Sequence, residues 1–73
     1  MIFEKIRDII AEKLDMRAED ILESSSFTDM KADSLYMVEI MLSIEDAFDI
    51  TIDDASNLET VSDLCKYVEN KTK

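Results

Sequence analysis

The sequence predicts an all-α fold, and three observations carry that expectation. Glycine and proline are both absent from the 73 residues; tight β-hairpins depend on glycine for their primed turns, whereas helices need neither residue. Apolar residues recur at steps of three and four through long stretches of the chain, the period of a helix with one buried side. Residues of capping type, Asp33-Ser34 and Thr60 with Asp63, stand where such stretches begin. Without glycine, the helix C-caps have to use asparagine or a less favourable residue.

Ile2, Phe3, Ile6, Ile9, Ile10 and Leu14 form one stripe, with Glu4, Asp8 and Glu12 on the other side, and predict a first helix over residues 2–14. From Asp15 to Asp33 the pattern loosens, and Met16, Ile21, Leu22, Phe27 and Met30 are separated by acids and the Ser24-Ser25-Ser26 run. A structureless connection of that length is unusual in a compact domain. Its apolar residues are therefore expected to pin it to the core, with a short turn of helix near Ala18–Leu22. A second helix is expected from Ser34 to Phe48, on a stripe of Leu35, Val38, Met41, Leu42, Glu45 and Phe48 that only Glu45 interrupts. Ile40 and Ile44 widen that face, so contact on more than one side is expected. Asp49 to Leu58 reads as a loop with one turn of helix around Asp54–Asn57. Thr60-Val61-Ser62-Asp63 resembles a capping box with Asp in the place of Glu or Gln. Val61, Leu64, Cys65 and Val68 form the buried stripe of a last helix ending near Asn70, followed by a frayed tail at Lys71–Lys73. Residues 1–73 are read as a single domain and a monomer.

Composition bounds the function. Hydrophobic residues make up 47% of the chain, enough for a core despite the charge. One cysteine, Cys65, excludes an internal disulfide, and with no histidine a zinc site would be almost all carboxylate. A net charge of −10 argues against nucleic acid and anionic membranes, both of which need clustered Lys and Arg. No charged-then-apolar leader and no apolar run of membrane-spanning length is seen, so a cytoplasmic protein with basic partners is expected. No segment has the Asp-rich, Gly-containing spacing of a calcium loop. Loose divalent binding at Glu45, Asp46, Asp49, Asp53 and Asp54, as charge neutralisation, is the only metal expectation. The acidity is uneven: residues 32–65 hold nine acids and no base, whereas residues 1–31 hold eight acids and five bases. A solvated helical face ordinarily mixes both signs, because opposite charges at i, i+4 stabilise it. A single-sign field is better explained as a steering surface for basic partners.

Ser34 opens the second helix, and a hydroxyl there lies beside unpaired backbone N–H groups and the positive end of the macrodipole, a setting that favours a phosphate ester. Position alone reads first as an N-cap. Its surroundings change that reading. Asp33-Ser34-Leu35, Val38-Glu39-Ile40 and Glu45-Asp46 with Phe48-Asp49 stand at the spacing of the acyl carrier protein family, and the chain resembles that family over essentially its whole length.

The resemblance implies a four-helix acyl-carrier-like bundle with a long first loop and a short third helix. It further implies that Ser34 bears a covalent 4′-phosphopantetheine arm donated from coenzyme A by a phosphopantetheinyl transferase, with Asp33 and Leu35 beside the attachment point. The thiol chemistry then belongs to the arm, and the chain is a carrier of thioesters and not an enzyme. Glu39, Glu45 and Asp46 match the acidic helix that docks on basic patches of fatty acid or polyketide synthase enzymes, and Tyr36, Met37 and Met41 join them as expected partner contacts. Val38, Leu42, Phe48, Ile52, Leu58 and Val61 are the expected apolar lining that shelters an acyl chain, and all six are also expected to be ordinary core.

Four positions depart from the family pattern. Lys31 stands where Gly is frequent, Tyr36 where an acid is frequent, Met37 where a small polar residue is frequent, and Asp53 where Pro is common. These changes make the rim of Ser34 more apolar and add one positive charge, which fits either drift or a dedicated set of partners. The alternatives are a carrier for a specialised pathway (polyketide, peptide or D-alanyl transfer) and an interaction module that never bears the arm. Cys65, on the apolar stripe of the last helix, is read as a small core residue and not a reactive thiol.

Overall fold

A computed structural model describes residues 2–53 and 58–72. It contains α1 (Ile2–Leu14), a short 3₁₀ turn (Ala18–Asp20), α2 (Ser34–Phe48) and α3 (Val61–Lys71). The all-α expectation is met, and the 3₁₀ turn is the one expected near Ala18–Leu22; the described residues hold three α-helices where four are expected, and the short third helix expected around Asp54–Asn57 lies outside them. The bounds of α1 and α2 are those the apolar spacing predicts, and α3 runs one residue beyond Asn70.

α1 packs against both α2 and α3. Ile6 and Ile10 of α1, Ile40 and Ile44 of α2, and Val61, Leu64 and Val68 of α3 are wholly buried between them. On α1 and α3 the buried residues fall on the predicted stripes. On α2 they do not. The inner face is Ile40, Met41 and Ile44, flanked by half-buried Met37 and Phe48, while Leu35, Val38 and Leu42 are 68%, 55% and 59% exposed. The stripe centred on Leu35, Val38 and Leu42 is therefore corrected. Both sets follow helical spacing, and among the described residues the core shared with α1 and α3 lies on the side that carries Ile40 and Ile44.

The long first connection is anchored as its apolar residues require. Ile21 and Phe27 are buried, and its backbone pairs with the start of α3. The Phe27 N–H donates to the Glu59 carbonyl (2.9 Å), the Val61 N–H to Ser25 (3.0 Å) and the Ser62 N–H to Glu23 (2.8 Å), around a single antiparallel bridge between Ser26 and Thr60. Side chains close the remaining turns: Ser25 Oγ accepts from the Leu22 N–H (2.9 Å) and Ser26 Oγ from the Thr28 N–H (3.2 Å). Segments pinned this way satisfy their backbone groups without a helix.

Lacking glycine, the chain leaves α1, the turn over residues 28–31 and α2 on left-handed non-glycine residues: Asp15 (φ 55°), Lys31 (φ 59°) and Asp49 (φ 55°), respectively. Each is followed by a bond that closes back five residues: Met16 N–H to Ala11 (3.0 Å), Ala32 N–H to Phe27 (3.0 Å), and Ile50 N–H to Glu45 (3.1 Å). The Lys31 N–H also donates to Thr28 (3.0 Å), completing the nested pair of a Schellman turn. A side chain with a Cβ in this region costs roughly 1–2 kcal/mol relative to glycine, somewhat less for Asp.

α3 starts in the capping box its sequence predicts. Thr60 Oγ1 accepts from the Asp63 N–H (3.2 Å), and Asp63 Oδ2 accepts from the N–H groups of Thr60 and Glu59 (3.2 Å each). Those backbone donors hold the Asp63 carboxyl below the usual carboxylate range. Cys65 is buried, and its thiol is pushed up to about 11, first by burial and then by Glu23 and Glu69. The core reading of Cys65 holds.

Candidate functional site

Asp33 is the N-cap of α2: its backbone is extended (φ −72°) and its side chain accepts from the Tyr36 N–H at 3.1 Å. Ser34 is consequently the first helical residue, not the cap, and it is exposed. Because Asp33 does the capping, the Ser34 hydroxyl is not needed for it. The Met37 N–H donates to the Asp33 carbonyl (2.9 Å), so of the first-turn donors those of Ser34 and Leu35 have no partner among the described residues. An exposed hydroxyl at a helix start with free N–H groups beside it fits a phosphate ester, since those donors and the macrodipole favour negative charge there.

Two open depressions adjoin this point. One, about 560 Å³, surrounds Ser34 and is walled by Phe27, Thr28, Ala32, Met37 and Leu58. The second, about 240 Å³, is a largely apolar groove along α2 formed by Met37, Val38, Met41, Leu42, Glu45 and Ile52. Met37 belongs to both, so an apolar surface runs from Ser34 into the groove.

Of the six residues expected to line an acyl chain, four lie along this surface and two do not. Val38, Leu42 and Ile52 line the groove and Leu58 lines the depression at Ser34. Val61 is wholly buried. Phe48 sits on the α1 side of α2, its ring 5.9 Å from the Lys5 ammonium. The expectation that all six are core is also corrected, since Val38 and Leu42 are exposed; no helix among the described residues covers their side of α2. Met37 and Met41 also line the groove, although their spacing does not mark them as acyl-lining residues. Half-buried Met37 and buried Met41 share the helical periodicity of the core residues, so spacing alone does not assign them to the groove.

The expected partner contacts divide likewise. Glu39, Asp46 and Tyr36 are exposed. Glu45 is half-buried and its Oε2 accepts from the Ile52 N–H at 2.7 Å, tying the residues after α2 to the groove's rim. Met41, 8% exposed, offers almost no surface to a partner, whereas half-buried Met37 presents part of its side chain at the wall of both depressions. Asp53 has a structural use that proline would lack: its N–H donates to Tyr67 Oη (3.0 Å) and its carboxylate pairs with Lys71 Nζ (2.9 Å). That carboxylate raises the Lys71 pKa, with Tyr67 adding to it. Among the described residues no three acidic or thiol groups converge as a metal site; Asp54 lies outside them.

Residues 4–68 match the family described as phosphopantetheine attachment site. The chain is 44% identical to the acyl carrier protein of Lactococcus lactis subsp. cremoris over 69 residues, 94% of each chain. It is also 44% identical to those of Streptococcus pyogenes serotype M1 and Streptococcus pneumoniae serotype 4 over 72 residues, 99% of this chain and 97% of theirs. The chain belongs to the acyl carrier protein family. As an acyl carrier protein it is a carrier and not a catalyst, and its cofactor is a covalently attached 4′-phosphopantetheine. No described helix of this acyl carrier family member is long and apolar enough to cross a membrane.

Proposed function

We propose that residues 1–73 form a single carrier domain that presents acyl groups, as thioesters on a phosphopantetheine arm at Ser34, to enzymes of fatty acid synthesis. The observation that carries this is the separation of duties at the start of α2: Asp33 caps the helix, which leaves the Ser34 hydroxyl exposed beside two free N–H donors. Attachment replaces the hydroxyl proton with a phosphoryl bond, breaks the pyrophosphate of coenzyme A and releases the nucleotide half. The bound arm supplies the thiol on which acyl groups ride. The chain's own residues do the rest. Asp33 fixes the helix start, Leu35 offers its N–H beside the ester, and the Met37–Val38–Leu42–Ile52 surface offers apolar cover within reach of Ser34.

Partners are a phosphopantetheinyl transferase and synthase enzymes with basic docking patches. Glu39 and Asp46 are free to meet such patches, and residues 32–65 contain no base to oppose them. Work as a monomer in the cytoplasm fits this reading. So does loose divalent binding among Glu45, Asp46, Asp49, Asp53 and Asp54. Incubation with coenzyme A and a broad-specificity transferase is expected to add the mass of one arm, and Ser34→Ala to abolish that gain. A chain that stays bare with every transferase would overturn the carrier reading and leave an interaction module. The exposed Tyr36 beside Ser34 favours a second, narrower reading, a dedicated partner set. Tyr36→Asp with Met37→Thr is expected to slow some partners and spare others; uniform rates would remove it.

A further inference from the structure

Lys31 sits in an unusual position in both charge and backbone. It is the only basic residue between Arg17 and Lys66, and it faces solvent without an ion-pair partner among the described residues. Its backbone is left-handed (φ 59°), a conformation that would accept glycine more readily than a long side chain. The nested bonds of Lys31 to Thr28 and Ala32 to Phe27, both 3.0 Å, hold it there, and the Asp33 cap follows immediately. The path from Lys31 to Ser34 is therefore fixed by consecutive hydrogen bonds. Three residues of chain separate their Cα atoms by at most about 11 Å, a gap that the four-carbon stem of lysine largely bridges. Thr28, Ala32 and Asp33 line the depression beside Lys31 and also the one around Ser34, so the two share a wall.

We propose that the Lys31 ammonium is the counter-charge of the phosphodiester on Ser34, holding the base of the arm against the turn formed by Thr28 to Asp33. The inference rests on Ser34 being the attachment point. Its physical ground is that the ester places a further negative charge beside Asp33, in a stretch of sequence whose single base is Lys31, and the hydrogen-bonded turn fixes the Lys31 backbone three residues from the ester. Lys31 acts as a positioning residue: it restrains the first atoms of the arm and takes no part in thioester chemistry.

The test compares bare and enzymatically loaded full-length chain, with Lys31 intact and as Lys31→Gln, Lys31→Arg and a distant control, Lys66→Gln. At low salt the change in melting temperature on loading is expected to become about 2–4 °C less favourable in Lys31→Gln, to recover in Lys31→Arg and to be unmoved in Lys66→Gln. The difference should fade in molar salt. Comparing loaded with bare protein cancels whatever the substitution does to the turn itself. The ³¹P resonance of the loaded protein should also shift in Lys31→Gln and return towards its original position in Lys31→Arg. Equal loading effects and an unmoved phosphorus signal in all four proteins would overturn the proposal while leaving the carrier reading intact. Failure of the chain to load at Ser34 would overturn both.

Discussion

Helices α2 and α3 use their apolar residues in opposite ways. α3 commits Val61, Leu64, Cys65 and Val68 to the core and leaves no large apolar residue exposed among its described positions. α2 buries Ile40, Met41 and Ile44 and still displays Leu35, Tyr36, Val38 and Leu42, four of the five large apolar residues exposed in the described chain. The charges repeat the contrast. α3 carries Lys66 and Lys71 beside Asp63 and Glu69, whereas α2 has Glu39, Glu45 and Asp46 and no base. A helix that only holds a bundle together has reason to hide its apolar surface and mix its signs. One that does neither gives up stability for a surface that other molecules meet.

The contrast breaks most visibly on truncation to alanine. Ile44→Ala and Leu64→Ala should each cost about 2–5 kcal/mol by chemical denaturation, since both leave a cavity in the core. Leu42→Ala should change stability by less than about 0.5 kcal/mol and yet slow reactions of the loaded protein with partner enzymes. A loss for Leu42→Ala as large as for Ile44→Ala would mean the two faces of α2 are not distinct. Next in size is the start of α3, where Thr60→Ala removes half of the capping box and should cost about 1 kcal/mol.

A smaller effect, of opposite sign, is expected at the end of α2. Asp49→Gly relieves a left-handed residue and should stabilise by about 0.5–1 kcal/mol. Asp49→Asn, which removes the same charge but keeps a Cβ, should gain less. Smallest is the pH effect at Asp63. Its carboxyl lies below the usual range in the folded protein, so its contribution is complete above that range and is lost as pH falls from there through the lowered folded value. The melting-temperature gap between the natural protein and Asp63→Asn should therefore be widest near neutral pH and close on acidification. A gap that widened in acid would show that the backbone donors of Glu59 and Thr60 are not its cause.

Much of this architecture was legible because it is local. The ends of α1 and α2, the capping box and the stripe of α3 depend on spacing and cap chemistry within one turn of helix, which the order of residues states directly. The orientation of α2 was not legible. With apolar residues at positions 35, 37, 38, 40, 41, 42, 44 and 48, almost any rotation of that helix offers a hydrophobic stripe, and only the placement of α1 and α3 chooses among them. Ser34 could be singled out from its neighbours, but sequence left it sharing the cap with Asp33; the 3.1 Å bond from the Tyr36 N–H gives the cap to Asp33. The use of Glu45 as a tether for Ile52 depends on a contact seven residues apart, which helical periodicity does not encode.

The buried Cys65 has a practical consequence. With its thiol pushed up to about 11, the nucleophilic thiolate at neutral pH is about a hundredfold scarcer than for a thiol at the ordinary value of 9.0, and the surrounding helices shield the sulfur from reagents as well. A maleimide or iodoacetamide added to the folded protein would then label the tether alone. Counting modified molecules would report occupancy of the prosthetic group in one measurement, with no need to mutate the natural cysteine.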